Sequence, residues 1–174
     1  LRFHEPTEGS ILLGGRDCAA LSRETVRDNI SIALQKPGIF QGTIAENLKM
    51  GKPEATPDEM ENACEIAQIL DFIRGNEKGF DYELTQAGAN LSGGQKQRVS
   101  IARTILKDAC AYVFDDSFSA LDYLTESKLR RALNAYLRGK TQLIITQRAA
   151  TAMRCDVIYV LDRGQLVGSG THAE

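Results

Sequence analysis

The residues with the clearest chemical capacity form one run of eight, Leu91–Arg98, with the sequence LSGGQKQR. Two glycines behind a serine let a backbone approach an anion closely, because no Cβ stands in the way. Ser92 and Gln95 have the spacing of a capping box, and residues 99–106 have helical periodicity. The run therefore predicts a helix that begins at Ser92, with free backbone N–H groups that can bind a phosphate.

Polar residues also follow two predicted apolar strands. Asp115 and Asp116 come directly after residues 111–114, and Gln35 comes directly after residues 30–34. An Asp-Asp turn or a glutamine at a strand end is common by itself. However, the carboxyl ends of parallel strands are where α/β sheets bind ligands, and one carboxylate beside phosphate oxygens is enough to hold Mg²⁺.

The elements that must position these residues are short apolar strands that alternate with amphipathic helices. This alternation predicts an α/β fold with a mainly parallel sheet covered on both faces. The middle of the chain reads as a helical insertion, with a helix start marked by Thr56, Pro57 and Glu59. A second helix is predicted over 126–137, and a closing hairpin is predicted to pair 157–161 with 165–167.

Size and charge limit the functional classes. The chain of 174 residues fits one domain, and its apolar fraction of 43% is ordinary for a globular protein. A net charge of −2 gives no basic surface, so nucleic acid is not an expected partner.

The octet LSGGQKQR resembles the signature motif of the ATP-binding cassette, the nucleotide-binding domain of ABC transporters. Three further stretches support the resemblance: 111–115 is similar to Walker B, 119–122 (SALD) to the D-loop, and 42–48 (GTIAENL) to exporter-type cassettes. The resemblance implies a RecA-like, mainly parallel sheet core of a P-loop NTPase with an inserted helical subdomain. It implies one partial cassette domain over 1–174, with core parts at 1–41 and 108–174 and the helical subdomain at 42–107.

The resemblance also implies site roles, with ATP and Mg²⁺ as cofactors. The expected Mg²⁺ contacts are Asp115 and Gln35. The residues expected to contact ATP are Gln35, Ser92, Gly93, Gly94, Gln95 and Asp122. In this family two cassettes dimerise head to tail, so the Ser92 end of the helix would hold the γ-phosphate of ATP bound mainly by the second cassette.

Two departures from the family pattern fall at the expected reaction centre. Asp116 stands where the family usually has the catalytic glutamate, and Gln147 stands where a histidine contacts the γ-phosphate. A carboxylate retracted by roughly an ångström can cost about a hundredfold in rate, and glutamine carries neither a proton nor a charge. The two together predict a hydrolysis-impaired site in a heterodimeric exporter whose second cassette is a different chain.

Two alternatives stay open. One is a regulatory cassette that binds ATP without hydrolysing it, and the other is a non-transport ABC ATPase of the repair, chromosome or translation type. The phosphate-binding pattern G-x-x-x-x-G-K-[ST] does not occur, and Gly139-Lys140-Thr141 precedes a strand instead of opening a helix. We therefore expect an N-terminally truncated cassette, inactive alone, in which Leu1-Arg2-Phe3 is the last turn of a helix.

The remaining expectations concern the surroundings of the cassette. The partners would be transmembrane domains fused upstream, which residues 82–90 would contact by resemblance to the exporters' X-loop. The location would be the cytoplasmic face of the cell membrane. The transported substrate is not encoded in these residues, because fold does not fix cargo.

Overall fold

The computed structural model describes residues 1–174 and shows a mixed α/β fold of nine strands and seven α-helices. The strands are β1 Leu12–Leu13, β2 Arg16–Asp17, β3 Ile30–Ala33, β4 Gly42–Thr43, β5 Glu83–Leu84, β6 Ala111–Asp115, β7 Thr141–Ile145, β8 Ile158–Asp162 and β9 Gln165–Gly170. The helices are α1 Arg23–Asn29, α2 Ile44–Lys49, α3 Pro57–Ile66, α4 Leu70–Arg74, α5 Gly93–Leu106, α6 Tyr123–Tyr136 and α7 Ala149–Ala152.

The centre of the fold is a three-stranded parallel sheet in the order β3-β6-β7. Ala33 lies opposite Phe114, which lies opposite Ile144, so the three strands end almost level with one another. The other ladders are antiparallel and two-stranded: β1 with β2, β4 with β5, and β8 with β9. The predicted parallel sheet and the closing hairpin are therefore confirmed.

Three helices begin at complete capping boxes, in which the N-cap side chain and the third helical residue bond each other's backbone N–H. The pairs are Thr43 with Glu46, Thr56 with Glu59, and Ser92 with Gln95. The starts predicted at Thr56 and Ser92 are therefore confirmed.

One hydrophobic core of 28 buried residues joins the helical region to the sheet. Helix α5 contributes Val99, Ile101 and Ala102, each fully buried, and β6 contributes Phe114 from the sheet. Burial of one such large apolar side chain stabilises the fold by roughly 1.5–3 kcal/mol. Because α5 and β6 share this core, the start of α5 is fixed relative to the carboxyl end of β6.

Two expected helix boundaries were wrong. Leu1–Phe3 is not helical, and Arg2 has a φ of +56°, which lies outside the right-handed helical region. Helix α6 begins at Tyr123, three residues before the predicted start, because Asp122 caps it. Residues 42–107 also contain the short β4–β5 ladder, although helices dominate them.

Strand β7 is an outer strand of the parallel sheet. Two of its apolar side chains are well exposed, Leu143 at 54% and Ile145 at 47%. This edge therefore presents both unpaired backbone groups and apolar side chains.

The helices are short, and the two longest have 14 residues each. None of them combines the length with the apolar composition that a membrane crossing requires.

Candidate functional site

The predicted strand-end residues meet at one edge of the parallel sheet. Asp115 is the last residue of β6, Gln35 follows β3 after one residue, and Gln147 follows β7 after one residue. Since the strands are parallel and end level, all three positions face the carboxyl edge, where ligands bind in open α/β sheets.

Asp116 has the most constrained backbone of the group. Its φ is +43°, a left-handed conformation that aspartate tolerates better than most residues. Its N–H donates to Ile145 O at 2.9 Å, and its Oδ2 accepts a hydrogen bond from Gln35 Nε2 at 3.2 Å. The chain therefore turns sharply at the end of β6, and this turn places the Asp116 carboxylate beside Gln35.

The side chains of Asp115 and Gln147 make no hydrogen bonds within the chain. Asp115 is half-buried and its carboxylate has no hydrogen bond within the chain, and the exposed Gln147 amide has none either. Both polar groups are therefore available to a ligand at this edge.

The start of α5 offers hydrogen-bond donors to solvent. Gln95 N–H donates to Ser92 Oγ at 3.2 Å, and Ser92 N–H donates to Gln95 Oε1 at 2.8 Å. The capping box leaves the Ser92 hydroxyl proton, the Gln95 Nε2 group and the backbone N–H groups of Gly93 and Gly94 without partners in the chain. We call Ser92–Gln95 the α5 tip; it carries four donor groups and the positive end of a 14-residue helix.

The two glycines of the α5 tip lie against the loop 119–122. A Cβ at Gly94 would lie 3.1 Å from Ala120 O, and a Cβ at Gly93 would lie 3.6 Å from Ala120 Cβ. The first distance is tighter than ordinary packing, so a side chain at 94 would push the loop and the helix start apart by a few tenths of an ångström.

Asp122 has a structural role of its own. Its Oδ1 accepts from Thr125 N–H at 3.0 Å, which caps α6. Hydrogen bonds from Thr125 lower the pKa of Asp122 below its ordinary value. The exposed carboxylate is therefore ionised and already committed to the helix cap.

Two residues not predicted from the sequence contact the same loop. Gln97 is 4% exposed; its Nε2 donates to Ser119 Oγ at 3.2 Å and its Oε1 accepts from Ala120 N–H at 2.9 Å. Arg148 Nη2 donates to Ser119 O at 2.7 Å. A signal for Gln97 was present, because it is a polar residue on the buried face that also carries Ile101 and Ile105.

A family model described as ABC transporter matches residues 1–119, which is more than half of the chain. The chain belongs to the ABC transporter family. Domains of this family bind ATP, typically with Mg²⁺.

Similar proteins agree with this assignment. The chain is 40% identical over 173 residues to an uncharacterised ABC transporter ATP-binding protein, YfiC, of Bacillus subtilis (strain 168), covering 99% of the chain and 29% of the relative. It is 42% identical over 175 residues to the ABC multidrug transporter atrD of Emericella nidulans, covering 99% of the chain and 13% of the relative. It is 41% identical over 173 residues to a beta-(1→2)glucan export ATP-binding/permease protein, NdvA, of Rhodopseudomonas palustris (strain BisB5), covering 99% and 29%.

Among solved structures, a bacterial Atm1-family ABC exporter with ATP bound superposes with a TM-score of 0.95 at 37% identity. The match covers 99% of this chain and 30% of the exporter chain. The chain thus spans less than a third of these relatives, and the P-loop NTPase fold expected from the sequence is consistent with the match.

The side chains of this cassette fit an anionic nucleotide and its metal. The α5 tip presents donors, which suit phosphate oxygens. Asp115 supplies a carboxylate without a hydrogen-bond partner in the chain. Gln35 bonds Asp116 through its Nε2, and its Oε1 has no partner in the chain. These are oxygen ligands of the kind that Mg²⁺ prefers beside phosphate.

Proposed function

We propose that this cassette is the nucleotide-binding domain of an ABC exporter, in which ATP binding and hydrolysis at a dimer interface drive transport. The observation that carries the proposal is the α5 tip, which has four donors without partners in the chain. Ser92 and Gly93 are exposed, Gly94 and Gln95 are partly exposed, and the two glycines lie against the loop 119–122. Relatives named as a multidrug transporter and as a glucan export protein support transport over a repair, chromosome or translation ATPase.

The proposed roles divide between two ATP sites. Ser92, Gly93, Gly94 and Gln95 bind the terminal phosphate of ATP held mainly by a second cassette, and Asp122 lies at the seam between the cassettes. Asp115 and Gln35 hold Mg²⁺ at this chain's own site, where the metal neutralises phosphate charge when bound. Asp116 and Gln147 are the residues that would orient the attacking water and contact the γ-phosphate there.

The proposed asymmetry follows from the two departures at the chain's own site. Asp116 is one methylene shorter than glutamate, so its carboxylate reaches less far from β6, and its hydrogen bond to Gln35 at 3.2 Å holds it toward β3. Gln147 can donate and accept but cannot titrate. This site would bind ATP and turn over slowly, whereas the site completed by the intact α5 tip would hydrolyse it with the catalytic residues of a different partner chain.

The proposed setting follows from the exporter assignment. The cassette forms one partial domain, with core parts at 1–41 and 108–174 and a helical subdomain at 42–107. It lies at the cytoplasmic face of the cell membrane and couples to transmembrane domains fused upstream. Alone, residues 1–174 are expected to be inactive.

The test uses the full transporter with the other ATP site inactivated, so that turnover reports on the site of Asp116 and Gln147. The double variant Asp116→Glu/Gln147→His should raise turnover there about ten- to a hundredfold, because it restores reach and a titratable group. The variant Asp156→Glu/Gln165→His makes the same changes at exposed positions without side-chain hydrogen bonds and serves as control.

The outcomes separate the candidate functions. An unchanged rate in the double variant contradicts the asymmetric exporter and favours the regulatory cassette, which the same two departures suggest. A full transporter that hydrolyses no ATP at either site contradicts the proposed function as a whole.

A further inference from the structure

The loop 119–122 forms hydrogen bonds with residues from two different elements, α5 and the segment after β7. From α5, Gln97 bonds both Ser119 and Ala120. From the segment after β7, Arg148 donates to Ser119 O at 2.7 Å and to Leu121 O at 3.4 Å. Gln97 lies two residues beyond the α5 tip and Arg148 directly follows Gln147, so the loop connects the two.

The loop is also tied to the reaction centre. Ser119 Oγ donates to Asp116 O at 2.8 Å, so the residue that Gln97 and Arg148 hold also fixes the turn at Asp116. A displacement of Ser119 would therefore be transmitted to the Asp116 backbone, whose φ of +43° leaves it little freedom.

Arg148 is held in place by a largely buried carboxylate. It forms an ion pair with Glu126, whose side chain is 8% exposed. The other Glu126 oxygen accepts from Thr151 Oγ1 at 2.5 Å, and Thr151 O accepts from Arg130 Nη1 at 2.7 Å. Glu126 thus orients the planar guanidinium of Arg148 so that its remaining N–H groups point at the loop carbonyls.

We propose that Arg148 and Gln97 are positioning residues that clamp the loop 119–122 between the α5 tip and the Asp116–Gln147 centre. This rests on the proposed function, and neither residue needs to touch nucleotide. The clamp transmits the position of the α5 tip, which serves the partner's ATP, to the Asp116 turn, which serves the chain's own. Its loss should lower kcat and leave the KM for ATP nearly unchanged, since the donors that bind phosphate remain.

A purely structural role for Arg148 makes a different prediction. If only its ion pair with Glu126 mattered, exchanging the two charges would preserve the pair and the activity. The clamp requires N–H donors to the carbonyls of Ser119 and Leu121, which a glutamate at 148 cannot supply.

The experiment measures kcat, the KM for ATP and the melting temperature of the full transporter with the other ATP site inactivated, so that turnover reports on the Asp116–Gln147 centre. In this order, the variants are Arg148→Gln, Arg148→Lys, the exchange Glu126→Arg/Arg148→Glu, and Gln97→Met. Arg154→Gln is the matched control, because Arg154 lines the same cleft as Arg148, is exposed and makes no hydrogen bond.

We expect Arg148→Gln and Gln97→Met to lower kcat about tenfold or more with KM within about twofold of the wild type, since small misplacements at a reaction centre are costly. Arg148→Lys should retain part of the activity, the charge exchange should not restore it, and Arg154→Gln should match the wild type. If a glutamine at 148 prevents folding, Arg148→Lys and Gln97→Met still decide the question.

Restored kcat in the charge exchange overturns the clamp, and so does a wild-type kcat in both Gln97→Met and Arg148→Lys. Either result in a transporter that hydrolyses ATP leaves the proposed function intact. An inactive wild-type transporter, by contrast, refutes the proposed function itself.

Discussion

The α5 tip and the Asp116–Gln147 centre are built in different ways. The tip is local: Ser92 and Gln95 bond each other across three residues, and the donors follow from the helix start. The centre is assembled from three strands, and its hydrogen bond between Gln35 and Asp116 spans 81 residues. The tip keeps the complete family motif, whereas the centre carries both departures. Under the proposed function, one cassette would therefore serve its partner's site fully while its own site turns over slowly.

The largest effect is expected from crowding the tip. Gly94→Val adds a branched side chain whose Cβ would lie 3.1 Å from Ala120 O, so the loop 119–122 or the tip must move. We expect ATPase activity of the full transporter to fall by more than about a hundredfold, because preorganised donors at a phosphate are worth that much.

The control for this variant is Gly38→Val, where the nearest atom to the new Cβ is the Phe40 ring at 3.9 Å and φ is not in the left-handed region. A Gly94→Val transporter within threefold of the control would show that the tip does not need its close contact with the loop.

A smaller effect separates the capping role of Ser92 from its proposed phosphate role. Ser92→Ala and Thr56→Ala each remove the N-cap of a complete capping box, so both should lower the free energy of unfolding by about 1 kcal/mol. Only Ser92→Ala should also reduce kcat/KM for ATP, by about tenfold, since it removes one hydrogen bond to phosphate.

Denaturant melts and steady-state kinetics of the full transporter measure the two quantities. Equal losses of kcat/KM in the two variants would mean that Ser92 acts through helix stability alone.

The smallest effect concerns the rate at which two cysteines are chemically modified, one packed behind the α5 tip and one beside the strand that carries Asp115. Cys64 lies in α3, which packs on α5, and burial raises the pKa of its thiol to about 12. Cys110 precedes β6 and is exposed. At pH 8 the Cys64 thiol stays protonated, and the thiolate is the reactive form, so a maleimide should modify Cys110 first.

Mass spectrometry of the native and unfolded full transporter identifies the modified cysteine, with Cys110→Ser as control. Rapid modification of Cys64 in the native protein would contradict tight packing behind the tip.

The two regions also show what a sequence can and cannot predict. The capping boxes at Thr56 and Ser92 and the apolar strands depend on residues close together in the sequence. The local residue pattern is therefore enough to predict them. The clamp was not predictable, because the contact of Gln97 and Arg148 with one loop depends on how α5 packs against the sheet. The Asp122 cap has a local signal as well, because an aspartate directly before a helix is a preferred N-cap residue and Thr125 stands three residues on. The site roles themselves stay predictions.

The outer edge of β7 has a practical consequence. Its backbone N–H and C=O groups on one side have no partner strand, and exposed Leu143 and Ile145 add apolar surface beside them. Such an edge is a template for pairing with another extended chain. A preparation of residues 1–174 should therefore self-associate with rising concentration, and its biochemistry is best studied within the intact transporter.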